Sequence, residues 1–222
     1  MIERVRLAEG REAEVFLQPD GHVVKLMRSP DARARVESEA TAYAALAAAG
    51  QRVPAVHGIV TIDGRPGLVM DRVEGVDLLA ALQAKPWMVL TAGRVVGEMQ
   101  ARLHDCVAPA DLPHTKDIIR QRLDDAPLLP PSARDRALRL LDELPGGDRL
   151  CHTDFHIGNL IGSWSDPVAI DWGSASRGNP VCDAAKTVLL HKMAALPPET
   201  PAFFRALAAA GRSLLVGRDL AA

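Results

Sequence analysis

The chain has 222 residues, 48% hydrophobic and 24% charged, with a formal net charge of -2. That length supports one large or two small apolar cores, and the even balance of acids and bases argues against nucleic acid as a partner. No apolar run reaches the roughly 20 residues of a membrane helix, and MIERVRLAEG at the N-terminus lacks a signal-peptide stretch, so a cytoplasmic protein with no membrane partner is expected.

The first third reads as antiparallel strands. AEVFL (13–17) and HVVKLM (22–27) flank a turn at Asp20-Gly21. A helix rich in Ala and Arg is expected from Ser29-Pro30-Asp31, with Gly50 ending it. A second hairpin, VHGIVTI and PGLVMDRV, turns at Asp63-Gly64. From VEGVDL onward the composition becomes helical. TAGRVVGEMQARLH puts Val95, Val96, Met99 and Leu103 on one helical face. DIIRQRLDD and SARDRALRLLDEL are further helices, the second stopped by Pro145-Gly146-Gly147. Short β pieces RLCHTDF, NLIGS and PVAID follow, then helices near 181–194 and 201–215. The expected division is an N-terminal lobe over 1–72 and a helical lobe over 73–222. Cys106, Cys151 and Cys182 match no metal or redox spacing and read as buried thiols.

The stretch HTDFHIGNLI, from His152, carries the chemistry. Alternation of His152, Asp154 and His156 on a strand, with His191 from elsewhere, would give a two-histidine, one-carboxylate metal site. A second reading accounts for more residues. His152-x-Asp154 and then Asn159 has the spacing of a kinase catalytic loop, and Ile170-Asp171-Trp172-Gly173 stands where such a template holds its metal. An attacking hydroxyl needs a carboxylate to orient it and take its proton, here Asp154. Mg²⁺ prefers oxygen ligands, which Asn159 and Asp171 would supply from opposite sides of one short hairpin. The same template needs a strand lysine on the α- and β-phosphates, steadied by a helix glutamate. Lys25 lies on the third strand, and Glu39 fits the helix register better than Glu37. Val23, on the face of Lys25, could cover an adenine ring. Counting back from Val15, a G-x-G-x-x-G-x-V loop falls on Ala8, Gly10 and Ala13, so only its middle glycine is present.

Taken together, HTDFHIGN, IDWG and the strand lysine resemble the aminoglycoside phosphotransferase and choline kinase-like group of small-molecule kinases. EATAYAALAAAGQRVPAVHG, LVMDRVEG, EMQARLHD and GNPVCDAAKTVLL resemble further segments of that group, over roughly residues 5–195. The resemblance implies a two-lobed α+β fold of the protein kinase type, with an N-terminal antiparallel sheet plus one helix and a mainly helical C-terminal lobe. It implies a phosphotransferase using ATP or GTP with Mg²⁺ on a small-molecule hydroxyl. It also assigns Met70 to the back of the adenine pocket, the backbone of Asp71 and Val73 to the adenine edge, and Asp183 to bracing the catalytic loop. His156 would shape the loop or sit near the substrate. Thr153 stands where the group has a smaller residue. The segment 106–148 is short, and the chain stops soon after 203–217, where members usually continue, so a smaller or more open substrate site is expected. A nucleotide-binding protein without turnover is the alternative. A protein kinase is disfavoured, because only GSASRGNPVCD follows and no Ala-Pro-Glu motif is present.

Overall fold

The structure is a computed structural model describing residues 5–193, the side chains of 191–193 excepted. Five strands, β1 (Val5–Glu9), β2 (Ala13–Leu17), β3 (Val23–Met27), β4 (Val56–Ile62) and β5 (Arg65–Met70), form one antiparallel sheet in the order β1-β2-β3-β5-β4. The β4–β5 hairpin turns at Asp63-Gly64, both at positive φ, the conformation a tight two-residue turn demands. Helix α1 (Arg33–Ala48) crosses from β3 to β4 and buries Val36, Ala42, Tyr43 and Leu46. It starts at Arg33, not at Ser29. Ser29 Oγ instead accepts the Asp31 N–H, and no side chain caps the helix. Gly50, at φ +73°, closes it: its N–H bonds the Ala47 carbonyl while Gln51 N–H reaches Leu46.

Beyond β5 the chain runs through Asp71–Gly75 into β6 (Val76–Asp77), which pairs with β8 (Leu160–Ser163) rather than with the large sheet. Gly75 and Gly162 meet there at φ +136° and +129°; a Cβ on Gly75 would stand 2.5 Å from the Gly162 Cα. Both positions therefore require glycine. Asp77 caps α2 (Leu78–Ala84) through the Leu79 and Ala80 N–H groups. Helix α3 (Val89–His104) buries Val95, Val96, Met99 and Leu103 along one face, as its periodicity predicts. Helices α4 (Thr115–Asp124) and α5 (Pro131–Glu143) pack on each other, with Pro131 opening the latter.

The β pieces around the histidine-rich stretch are shorter than the sequence suggests. Strand β7 (Arg149–Cys151) stops before His152, pairing with β10 (Ser176–Gly178). Residues 152–156 are not a strand, which removes the alternation the metal reading needed. Strands β8 and β9 (Asp166–Ala169) form a hairpin, and α6 (Pro180–Met193) follows. One apolar core runs from Val23, Leu68 and Met70 through α1 and α3 to Leu150, Phe155 and Trp172. The helix expected at 201–215 lies outside the described residues. Cys106 and Cys151 are buried, and Cys182 is partly so.

Candidate active site

Strand register gathers the first group of side chains. Lys25 pairs with Val15 on one side and Leu68 on the other, while Val23 pairs with Leu17 and Met70. By alternation Val15, Val23, Lys25 and Met70 share one face of the sheet. The Lys25 Nζ lies 2.8 Å from both Glu39 carboxylate oxygens and 2.6 Å from Asp171 Oδ1, a residue 146 positions away. Glu39 is fully buried, whereas Glu37 pairs with Arg33 on the exposed face of α1, so the helix register chosen from sequence is the observed one. Burial works against the Lys25 charge, but the two carboxylates outweigh it and hold the ammonium above its ordinary range. Burial would likewise raise the Asp171 carboxyl; Lys25 overrides it and keeps the group ionised.

Asp171 is held in the left-handed region at φ +64°, and its N–H donates to the Tyr43 hydroxyl at 3.3 Å. Tyr43 is buried on α1, where desolvation pushes its pKa well above the phenol value. Thus α1 contacts Asp171 twice, once through Glu39 and Lys25 and once through Tyr43. Arg35, also on α1, pairs with Glu12 in the β1–β2 turn and donates to Ser174 Oγ at 3.1 Å.

The second group is the loop 152–159. His152 is fully buried against Phe155 and Trp172. Its Nε2 lies 3.0 Å from the Ile170 carbonyl, and its Nδ1 accepts the Asp154 N–H at 3.3 Å. That pattern assigns a neutral ring with its proton on Nε2, and desolvation lowers its pKa in agreement. Both nitrogens are spent inside the protein, so His152 is no metal ligand. His156 accepts the Gly158 N–H and caps the short 3₁₀ turn Ile157–Asn159; it shapes the loop. The side chain of His191 lies outside those described.

Asp154 stands apart from these contacts. Its carboxylate makes no hydrogen bond or ion pair with any described residue, while its carbonyl accepts Asn159 Nδ2 at 2.8 Å. That bond turns the Asn159 Oδ1 away and leaves it open as an acceptor. Ile170 N–H bonds the Asn159 carbonyl at 2.9 Å, so Asn159 and Asp171 flank the two ends of the β8–β9 hairpin. An amide oxygen and an ionised carboxylate form a hard donor set that fits Mg²⁺.

Buried Asp183 holds the loop from α6. It accepts the N–H groups of His152 (3.2 Å) and Thr153 (2.6 Å), Gln100 Nε2 (3.2 Å) and, at 2.9 Å, His104 Nε2. Burial would raise this carboxyl, but the four donors, His104 foremost, hold it below the usual range. Gln100 and His104 were not singled out from sequence as partners. Their signal is helical spacing, since positions i and i+4 of α3 share a face. Thr153 sits at φ +61°, unusual for a β-branched residue, and its hydroxyl donates to the Ser174 carbonyl at 2.7 Å.

At the end of β5, Asp71 N–H is bonded to the Ala55 carbonyl at 2.9 Å, while no backbone bond to the Asp71 carbonyl is made among the described residues. The Val73 N–H has no partner among the described residues. The β1–β2 turn holds Gly10 through its N–H to Ala13 O, in a conformation that does not require glycine. A cavity of about 270 Å³ opens between α1, α4 and the segment after Asp171, lined by Arg35, Arg122, Ile118 and Gly173–Ala175. No described helix is long and apolar enough to cross a membrane.

Comparison with known proteins follows the same lines. The family model APH, "Phosphotransferase enzyme family", matches residues 3–220. No curated protein matches the chain. Among solved structures, a thermostable mutant of aminoglycoside phosphotransferase APH(4)-Ia, in ternary complex with AMP-PNP and hygromycin B, superposes with TM-score 0.63 at 17% identity, covering 86% of this chain and 73% of that one. Aminoglycoside phosphotransferase APH(3'')-Id from Streptomyces rimosus ATCC10970 gives 0.62 at 20% identity, covering 97% and 85%. The GDP complex of wild-type aminoglycoside 2'-phosphotransferase-IIIa gives 0.56 at 18%, covering 95% and 77%. At these identities the likeness shows the shared two-lobed fold.

Proposed function

The chain belongs to the phosphotransferase enzyme family, and from that premise we propose that it moves the γ-phosphoryl of ATP or GTP onto a hydroxyl of a small molecule. The observation that carries this reading is the convergence of Lys25, Glu39 and Asp171 within 2.8 Å contacts, beside a loop that leaves the Asp154 carboxylate free. Lys25, steadied by Glu39, grips the α- and β-phosphates. Val15, Val23 and Met70 enclose the adenine, whose edge meets the Asp71 carbonyl and the Val73 N–H. Asn159 and Asp171 hold Mg²⁺, which when bound neutralises charge on the transferred group. Asp154 orients the acceptor hydroxyl and takes its proton as the oxygen–phosphorus bond forms. The N-terminal lobe through residue 72 serves the nucleotide, and the lobe from 73 onward serves catalysis and the acceptor.

The surroundings of Asp154 bear on the acceptor. The acids from which a polycation site could be built are Asp111, Asp117, Asp124 and Asp125; Asp117 and Asp124 are paired with Arg120 and Arg134, Asp125 accepts only the Gln121 amide, and Asp111 has no ion pair among the described residues. Arg35 and Arg122 line the neighbouring cavity, and half-buried Lys186 lies in electrostatic reach of both and of Asp154. With Arg35 itself paired to Glu12, acids and bases both border this region, and the acceptor screen spans amines, sugars, amino-acid-like alcohols and macrolides. A second reading, nucleotide binding without turnover, is supported by the β1–β2 turn, which has one glycine where a phosphate-covering loop has three.

The deciding experiment is a thermal scan with Mg-ATP, Mg-GTP and Mg²⁺ alone, followed by an acceptor screen on nucleotide consumption. A ligand at about 100 times its Kd adds about 2.7 kcal/mol, roughly 5–10 °C for a chain of this size. A shift lost in Asp171→Ala, with turnover lost in Asp154→Ala, supports the kinase. A shift without turnover on any acceptor supports the second reading.

A further inference from the structure

We propose that His22, His57 and Asp71 form a binding site for one divalent transition-metal ion of the zinc class at the edge of the N-terminal sheet. The topology brings them together. β5 lies between β3 and β4; His22 precedes β3, His57 is on β4 and Asp71 follows β5. The register of β4 against β5 slips between Val56 and Gly58, so His57 is the extra residue of a β-bulge, a device that re-aims a side chain. The Asp71 Oδ1 lies 2.6 Å from His57 Nε2 and 3.8 Å from His22 Nε2, and the two imidazole centroids are 4.1 Å apart. All three ligand atoms fall within 4.8 Å of one another. Around an ion with bonds of about 2.0–2.1 Å, tetrahedral ligand atoms stand about 3.3 Å apart. Small side-chain rotations therefore close the set, and the partly exposed position admits water as a fourth ligand.

Each ligand is held from behind. The Asp71 Oδ2 accepts the Ala55 N–H at 3.3 Å while Asp71 N–H bonds the Ala55 carbonyl, which turns Oδ1 toward the histidines. His22 Nδ1 lies 3.1 Å from Asp20 Oδ2, and His22 N–H bonds Asp20 Oδ1. A carboxylate behind an imidazole fixes its tautomer and orients it for a metal. With the His22 proton on Nδ1, its Nε2 lone pair faces the Asp71 carboxylate. Either a proton or a metal ion between them satisfies both acceptors, and the His57 Nε2 on the same Asp71 oxygen supplies the second nitrogen that a metal would use. Mixed nitrogen and oxygen donors select zinc, cobalt or nickel over magnesium. This site is separate from Asn159 and Asp171 and does not depend on the proposed activity.

The test uses the untagged, metal-free chain in excess Mg²⁺, titrated with Zn²⁺ by calorimetry and with Co²⁺ by visible absorption. One ion per chain and an intense Co²⁺ d–d band are expected. His22→Gln and His57→Gln should each remove the band with circular dichroism unchanged. Asp20→Asn, which leaves all three ligands, should weaken Zn²⁺ about 10- to 100-fold. No saturable binding in the parent chain would overturn the proposal. So would one-ion binding retained in the His22→Gln, His57→Gln double variant, which would place the ion elsewhere.

Discussion

Lys25, in the N-terminal sheet, is kept in place by two carboxylates, whereas the loop 152–159 is kept in place by hydrogen bonds to one buried carboxylate. The first arrangement joins β3, α1 and the segment at Asp171, so it persists only while those three elements stay together. The second joins the loop to α3 and α6 within the helical part, through Asp183 and its four donors. Charge pairs of this kind exchange readily with an incoming phosphate or cation. A fully satisfied buried network does not exchange, and it rigidifies what it holds. The site thus combines a half that ligands can rearrange with a half that is assembled beforehand.

Substitutions can break this contrast, beginning with the largest effect. Asp154→Ala should lower turnover by about 10²- to 10⁴-fold while the nucleotide-induced rise in melting temperature stays. Parental turnover in that variant would sink the assignment of the base. Asp183→Ala strips acceptors from His152, Thr153, Gln100 and His104. It should cost about 3–5 kcal/mol of stability, read as a denaturation midpoint, and a change near zero would mean the loop is held by something else. Glu39→Gln should leave the fold nearly as stable yet reduce kcat/KM by about tenfold or more, about 1.4 kcal/mol, because Lys25 then turns toward Asp171 and away from the phosphates. If Glu39→Gln instead unfolds the protein, the adjustable half is not adjustable. The smallest effect is on acidity. His152 is neutral when folded and its pKa is depressed from 6.5 by burial. Its contribution is therefore complete above pH 6.5 and is lost as pH falls toward the folded value, with a slope of at most about 1.4 kcal/mol per pH unit for one group. Equal urea midpoints at pH 7 and pH 5 would contradict this.

The parts legible in the sequence were those with short-range rules. Turn residues gave two of the three hairpins of the large sheet, β2–β3 and β4–β5 but not β1–β2, and periodicity gave α3 and the choice of Glu39 over Glu37. The spacing from His152 to Asp171 placed Asn159 and Asp171 about one hairpin, where the structure has them. What escaped depended on contacts between distant segments. Gln100 and His104 bond a residue about 80 positions later, and nothing local marks them as more than helix polar groups. Tyr43 shares a helix face with Glu39, but nothing local marks its hydroxyl as the group that receives Asp171 N–H. The start of α1 was misplaced because Ser29-Pro30-Asp31 has the composition of a cap but spends its hydroxyl on a local turn. The alternation of His152, Asp154 and His156 was real in sequence and meaningless in space, since no strand continues past Cys151.

The contact between Gly75 and Gly162 also says where the molecule can bend. With no side chain on either, the chain leaving the sheet lies flush on the β8–β9 hairpin, and β6 is stitched to β8 immediately afterwards. That end behaves as a bearing fixed to the helical half. On the other side, Asp71 is fastened to Ala55 by two hydrogen bonds and so travels with the sheet. Between those clamped ends the backbone of Arg72, Val73 and Glu74 makes no hydrogen bond with any described residue, so any relative movement of the two halves would be taken up there. Any side chain at 75 or 162 would lift the bearing off its seat, and the two halves would be misaligned before any ligand arrived.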